Sequence, residues 1–415
     1  MTPKTSPASN TLTLLVACIS VFALGQFQRA SGSVFGPVLT GTLNFPASAL
    51  GVLVATMFAA TLLSQAPAGA ALDRFGPRHV LLWALALVAL GTALFAIAPC
   101  MNTGAWPTLI LARILIGAGL AATGAGVQMA LAQNLPSEDY GYASGLMVTL
   151  GGIGGLVGTW PLAVALENFS WSLVFSVGAG LAVLVMIIVS TLVPHRTPAS
   201  TDHTPSKIGF SSLIKDRKLR GVLCLGAVTY APIVTITGLW GGPYLQEVHG
   251  LSPEVSGQAL MCLFATTIAA GFMFGRLDRI GRGRNTVILL AAVGSTTCLA
   301  TLALLPSPPV WAALLLIGGS VFLQQFYIPL GVQLRDAVPA TVFGRANALK
   351  LLIATGAIPI MQTAFGLIVD LGRALGLTDE NVFQFAFGCM ACVIGLALIG
   401  YWQLYLKDDQ TLRTH

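Results

Sequence analysis

The chain has 415 residues, of which 55% are hydrophobic and only 9% charged, against about a quarter charged in soluble domains. That balance excludes a sizeable water-soluble domain and points to an all-α polytopic membrane protein, because a bilayer core of about 30 Å takes about 20 mainly apolar residues per helix. The formal net charge of +6 follows membrane topology and not a nucleic-acid surface, since the basic residues are scattered through the connections.

In chain order the apolar runs predict helices over 12–40, 47–71, 80–99, 107–133, 141–166 and 171–193, then 219–246, 254–276, 286–305, 309–334, 345–371 and 382–406. These are 12 transmembrane helices in two six-helix bundles, 12–193 and 219–406, with tails at 1–11 and 407–415 and a linker at 194–218 rich in Pro, Ser, Thr and basic residues. The first run is too long for a signal-peptide core and lacks a cleavage site, so it reads as retained. With both termini cytoplasmic, Lys4, Arg74, Arg78, the groups at 196–220 and 276–284, Arg335, Arg345, Lys407 and Arg413 fall on the inner side, and Arg373 alone on the outer. Short loops and tails place the chain in a bacterial cytoplasmic (inner) membrane. No G-x-x-x-x-G-K-[ST] stretch supports direct ATP drive. The cysteines lie mostly inside predicted helices without metal-ligand companions. No catalytic residue, metal or cofactor is expected, and the chain reads as a monomer with the lipid bilayer and a small molecule as its partners.

Between the second and third predicted helices stands "GAALDRFGPR", residues 69–78, with Gly69, Asp73, Arg74, Gly76 and Arg78. A partial copy, "RLDRIGR", carries Asp278 and Arg279 after the second helix of the second set, 205 residues on. Corresponding motifs in two sets of six make the halves an internal repeat, as in a carrier built by duplication with its site near the membrane midplane.

The first of these stretches resembles the signature loop of the major facilitator superfamily. "ARILIGAGLAATGAG" in the fourth helix, with Arg113, Gly117 and Gly119, looks like the same family's second motif, and "GGIGGLVGTWP" in the fifth is similar to its third, with Trp160-Pro161 replacing the usual Gly-Pro. The resemblance covers essentially the whole chain and implies a secondary transporter working by alternating access, not an enzyme. It also implies that Asp73 closes the cytoplasmic side against the start of the eleventh helix, where Arg345 stands in "FGRANALK". Arg74, Arg78, Asp278 and Arg279 either share that task or anchor topology. For Arg113 the resemblance suggests proton coupling; charge compensation inside the first bundle is the alternative.

Arg29 lies about 27 Å along the first helix from residue 11 at 1.5 Å per residue. An arginine at that depth is costly and ordinarily faces a cavity or a partner, and its fork-shaped guanidinium suits a carboxylate or phosphate. The alternative is a snorkelling side chain, or one neutralised by a helix C-terminus or a carboxylate. The stretch around it is similar to the first helix of the organophosphate and organic-anion branches of the superfamily, where an arginine contacts the substrate anion. The seventh helix, "TYAPIVTITGLWGGPYL", has no second arginine, so one carboxylate fits better than a phosphate ester held between two arginines.

Further cavity candidates are Gln26, Gln128, Tyr230, Trp240, Gln324, Gln325, Tyr327 and Gln362, each of which could equally serve a helix–helix hydrogen bond. Lys350 is either a second cationic group or a lysine snorkelling to the cytoplasm. Glu167 and Asp370, near outer helix ends, are candidates for proton coupling or solvated ends. The residues therefore lead to transport of a small organic anion, coupled to protons (symporter) or to anion exchange (antiporter). The rivals are an exporter of drugs or amphipathic compounds, a siderophore or metal-chelate carrier, and a non-transporting membrane sensor with the same fold.

Overall fold

The computed structural model describes residues 7–43, 45–101, 104–194, 216–279, 283–338 and 340–406, and every regular element among them is a helix. The expected linker and C-terminal tail fall almost wholly outside the described residues. Eleven continuous stretches are long and apolar enough to cross a bilayer, one of them 54 residues long, Ala47–Cys100. A single straight helix of that length would run about 80 Å, far beyond one crossing. Its winding breaks at Gly76, with φ 77° and ψ 165°, a conformation open in practice to glycine alone. The stretch is two spans joined by one residue, and the chain is an integral membrane protein with twelve spans among the described residues.

The first span, α1, is Pro7–Ala30 continued by Gly32–Leu43, interrupted at the Ser31-Gly32 pair, a combination that weakens helical winding. Spans α2 (47–75) and α3 (77–97) flank Gly76. Then come α4 (Ala105–Asn134), α5 in three pieces (Ser137–Gly151, Ile153–Val157, Trp160–Asn168) and α6 (Trp171–Leu192). Span α7 is the most broken, running Arg217–Ala227, a turn, Ala231–Thr235, and on to Val248 with two wider π-type turns. The rest are α8 (Pro253–Arg279), α9 (Arg284–Leu304), α10 (Val310–Leu323, one tight 3-10 turn, Tyr327–Ala337), α11 (Ala340–Ala374) and α12 (Asp379–Tyr401, wound on to Leu406). The tight turn in α10 precedes Pro329, whose ring and missing N–H bar a regular helical bond at that point. Starts and ends differ from expectation mainly by extension, as at Pro7 and Ala340, because polar residues prolong a helix past its apolar segment.

The residues divide into two compact units, 1–44 with 52–202, and 45–51 with 203–415. In the N-terminal unit α1 lies against α4, α5 and α6. Without a hydrophobic drive in lipid, helices associate by close packing of small residues, and three glycines show how close. A Cβ on Gly154 would stand 1.9 Å from the Ala23 carbonyl oxygen, on Gly117 2.2 Å from that of Met57, and on Gly119 2.4 Å from that of Ala84. The glycines of the second and third motifs are thus where α4 meets α2 and α3 and α5 meets α1.

In the C-terminal unit α9 packs between α10 and α12, and α7 against α11 and α12. Side-chain hydrogen bonds join them. The Gln333 amide donates to Tyr401 and to Asn285, both at 2.7 Å, and the Gln324 amide donates to Ser295 at 3.0 Å and Ser320 at 3.2 Å. Arg373 bridges Glu247 at 2.7 Å and Asp379 at 2.9 Å.

Candidate functional site

In the N-terminal unit Arg29 is half-buried in the last turn of the first α1 segment, just before the Ser31 break. A helix C-terminus carries partial negative charge and favours a cation there. Its Nη1 donates to Gln26 Oε1 at 3.3 Å, and a Cβ on Gly25 would stand 3.1 Å from that nitrogen, so the amide orients the guanidinium and the glycine leaves it room. Gln128 is committed elsewhere: its Oε1 accepts from the Tyr140 hydroxyl at 2.7 Å and from Ser144 at 2.9 Å, which ties α4 to α5.

Arg113 is 1% exposed. Its guanidinium carbon lies 4.4 Å from the ring centre of Phe35 and 4.6 Å from that of Phe95. Its Nη1 points to Met57 Sδ at 3.4 Å, while Nε and Nη2 have no hydrogen-bond partner among the described residues. Trp171 and Phe175 back the two rings, with Trp171 and Phe95 centres 5.1 Å apart. Phe35 and Phe95 were not singled out from sequence; nothing local marks an aromatic 18 residues from Arg113 as its neighbour.

In the C-terminal unit three of the expected cavity residues make helix contacts, while the side-chain oxygens of Gln324 and Gln362 are buried without a hydrogen-bond partner among the described residues. Trp240 is stacked on Phe365, with centres 5.1 Å apart, and its indole N–H donates to the Gln362 carbonyl at 3.1 Å. The Gln362 amide donates to the Val234 carbonyl at 3.4 Å. Gln324 serves the two serines of α9 and α10. Trp240, Gln324 and Gln362 are all buried, whereas Gln325 and Tyr327 are half-buried and Tyr230 is 36% exposed.

Lys350 is 2% exposed, so it does not snorkel to water. Its ammonium nitrogen lies 4.2 Å from the ring centre of Tyr327. Gly226 on α7 and Gly331 on α10 make room: a Cβ on the first would meet Lys350 Cγ at 3.2 Å, and on the second its Nζ at 3.1 Å.

Asp73 and Arg74 are exposed, and Asp73 makes no hydrogen bond or ion pair among the described residues. Arg74 lies 5.1 Å from the Phe75 ring centre. Arg78 donates to the Ser190 carbonyl, pinning the start of α3 to the end of α6. Gly69 has open space where a side chain would go, whereas Gly76 makes the turn. The side chains of Asp278, Arg279 and Arg345 lie outside the described residues. Glu167 is exposed. Asp370, by contrast, accepts the backbone N–H groups of Ala47 at 2.8 Å and Ser48 at 2.7 Å, one on each carboxylate oxygen. Residues 45–51 cluster with the C-terminal unit, and there Asp370 acts as the cap of the first turn of α2. No group of three or more potential metal ligands occurs among the described residues.

Two units with twelve helical spans among the described residues have the architecture of a polytopic membrane protein. The sequence profile of the Major Facilitator Superfamily matches residues 17–358, and the chain belongs to that superfamily. A Haemophilus influenzae protein whose name assigns it provisionally to metabolite transport is 27% identical over 334 residues, 77% of this chain and 79% of that protein. An uncharacterised transporter of Bacillus subtilis is 22% identical over 57% of this chain and 58% of its own length. Among solved structures, a point mutant of the nucleoside transporter NupG superposes with a TM-score of 0.76 at 19% identity, covering 95% of this chain and 100% of that one. A D-xylose–proton symporter gives 0.74 at 16% identity over 95% and 97%. At these identities the structures share the fold.

Proposed function

We propose that the chain is a secondary transporter for a small organic anion, with Arg29 as the group that receives the carboxylate. The observation that carries this reading is the placement of Arg29: a permanently charged guanidinium in a membrane-embedded helix, held by Gln26, given space by Gly25, and set at the interruption of α1. Transporter sites favour such interrupted helices, because backbone groups freed at the break can serve a ligand. The absence of arginine from residues 229–245 of α7 favours a carboxylate over a phosphate ester. Asp73 and the rest of the signature loop set the rate of exchange between access states. Asp370 is a structural cap, not a proton carrier, since both its oxygens are occupied by α2. Coupling is then to protons carried elsewhere or to a counter-anion.

The test is uptake into proteoliposomes and ligand-induced thermal stabilisation, with acetate, succinate, benzoate and gluconate as probes. Wild-type protein is expected to be stabilised by at least one of them, and Arg29→Gln by none. Efflux of a cationic dye that survives in Arg29→Gln, with no response to any carboxylate in the wild type, would replace this reading by the drug-exporter one. Preloading vesicles with the responding anion separates the coupling modes: trans-stimulation marks exchange, and a requirement for an imposed pH gradient marks proton coupling.

A further inference from the structure

Among the described residues the ammonium group of Lys350 has no counter-ion. It makes no hydrogen bond and no ion pair with them, although the side chain is 2% exposed. The described carboxylates of its unit with a known contact are committed elsewhere. Asp336 pairs with Arg284, Glu247 and Asp379 with Arg373. Asp216 caps α7, Asp370 caps α2, and Glu380 binds Ser307. An unpaired buried cation is unfavourable, and contact with one aromatic face compensates only part of the lost hydration.

The surroundings are built to hold the charge and not to quench it. The lysine stem runs past Gly226, in the last turn of the first α7 segment, so partial negative charge from that helix end favours the cation. Its head rests on the Tyr327 ring beside Gly331. The α7 turn at 228–230 then carries Tyr230, four residues beyond Gly226 and 36% exposed. A cation on a phenol ring, next to an interrupted helix that carries a second phenol, forms a position suited to an acceptor-only ligand. A carboxylate fits: it takes a charge-assisted bond from the ammonium and accepts from a phenol hydroxyl.

We propose that Lys350, with Tyr327 and Tyr230, is a carboxylate-binding position in the C-terminal unit, and that this position contributes to recognition of the transported anion. The proposal rests on the anion-carrier reading above but not on Arg29.

The experiment uses full-length protein in detergent, with acetate, succinate, benzoate and inorganic phosphate as probes, and the variants Lys350→Met, Lys350→Gln, Tyr230→Phe and Arg29→Gln. Without ligand, Lys350→Met is expected to melt no lower than wild type, because it removes a buried unpaired charge while keeping the straight apolar stem. It is expected to bind the responding carboxylate at least tenfold more weakly by titration calorimetry, with Tyr230→Phe losing a smaller factor. Should Lys350→Met fail to fold, Lys350→Gln and Tyr230→Phe carry the same expectation of weakened binding. Wild-type affinity in the folded Lys350 variants, with loss in Arg29→Gln, would overturn this proposal and leave the anion-carrier reading standing. Loss in Lys350→Met with full affinity in Arg29→Gln would uphold it and remove Arg29 from the site. A wild type that responds to none of the carboxylates overturns both, and a response to phosphate alone overturns the choice of carboxylate.

Discussion

Arg113 and Lys350 are the buried cations of the described residues, one in each unit, and their settings differ. Arg113 lies against Phe35 and Phe95, whose ring centres are themselves 5.2 Å apart, with Trp171 and Phe175 behind them, in a unit whose helices meet backbone to backbone at Gly117, Gly119 and Gly154. Lys350 rests on one face of one phenol, next to a break in α7 and to glycines that leave space. The unit around it carries hydrogen bonds between side chains, such as Gln333 with Tyr401 and Gln324 with Ser295, besides close glycine contacts at Gly51 and Gly366. A cation packed against two rings that themselves touch is part of the packing; a cation on one ring beside irregular backbone is the better placed for a ligand.

The contrast in packing can be broken first at Gly154. Its Cβ would stand 1.9 Å from a backbone oxygen of α1 that cannot yield without moving the helix. Gly154→Val is therefore expected to cost more than about 3 kcal/mol and to leave no monodisperse protein on size-exclusion chromatography. In the C-terminal unit a Cβ on Gly388 would meet Ala303 at an ordinary 3.5 Å, and Gly388→Ala is expected to be recovered at wild-type yield. Equal recovery of the two variants would erase the distinction drawn above.

Gln333→Leu probes the hydrogen-bonded side of the comparison. It removes the donors to Tyr401 and Asn285 and the acceptor of the Tyr401 hydroxyl. Hydrogen bonds between membrane helices average about 0.6 kcal/mol and reach about 1.7, so a loss of about 1 to 2 kcal/mol is expected, read as a lower melting temperature with the fold retained. Arg113→Met carries the opposite sign. It removes a charge whose Nε and Nη2 have no described partner and sets an apolar chain against two rings, so melting is expected to be unchanged or raised by up to about 1 kcal/mol. A clear fall would mean that the arginine holds the aromatic cluster together and that the rings alone do not.

The spans, their number and the family were readable because they depend on composition and on local motifs, as in the Asp73 loop and the glycines of α4 and α5. The merging of α2 and α3 across one residue was not, because a left-handed Gly76 and a flexible Gly look alike in letters. The settings of the cations were also hidden. Arg113 and Lys350 each stand in an apolar helix, and only the fold brings Phe35 and Phe95 to one and Tyr327 to the other. Asp370 illustrates the same limit: its position near a helix end suggested proton traffic or solvation, whereas its partners, Ala47 and Ser48, lie more than 300 residues away.

The smallest expected effect on stability, at Asp73, separates packing from gating most cleanly. Asp370 and Asp73 both lie where a carboxylate can meet a helix start, but Asp370 holds two backbone N–H groups and Asp73 is exposed without a described partner. Replacing an N-cap acid costs about 0.5–2 kcal/mol, whereas an exposed substitution away from such contacts stays within about 0.5 kcal/mol. Asp370→Asn should therefore lower the melting temperature and Asp73→Asn leave it unchanged, while Asp73→Asn slows uptake of the responding anion into proteoliposomes at normal insertion. If Asp73→Asn transports at the wild-type rate, the signature loop of this chain sets topology through Arg74 and Arg78 and its acid has no part in exchange. A melting loss at Asp73 equal to that at Asp370 would instead place a structural partner on it in the folded protein, and the two acids would then differ only in which helix start they serve.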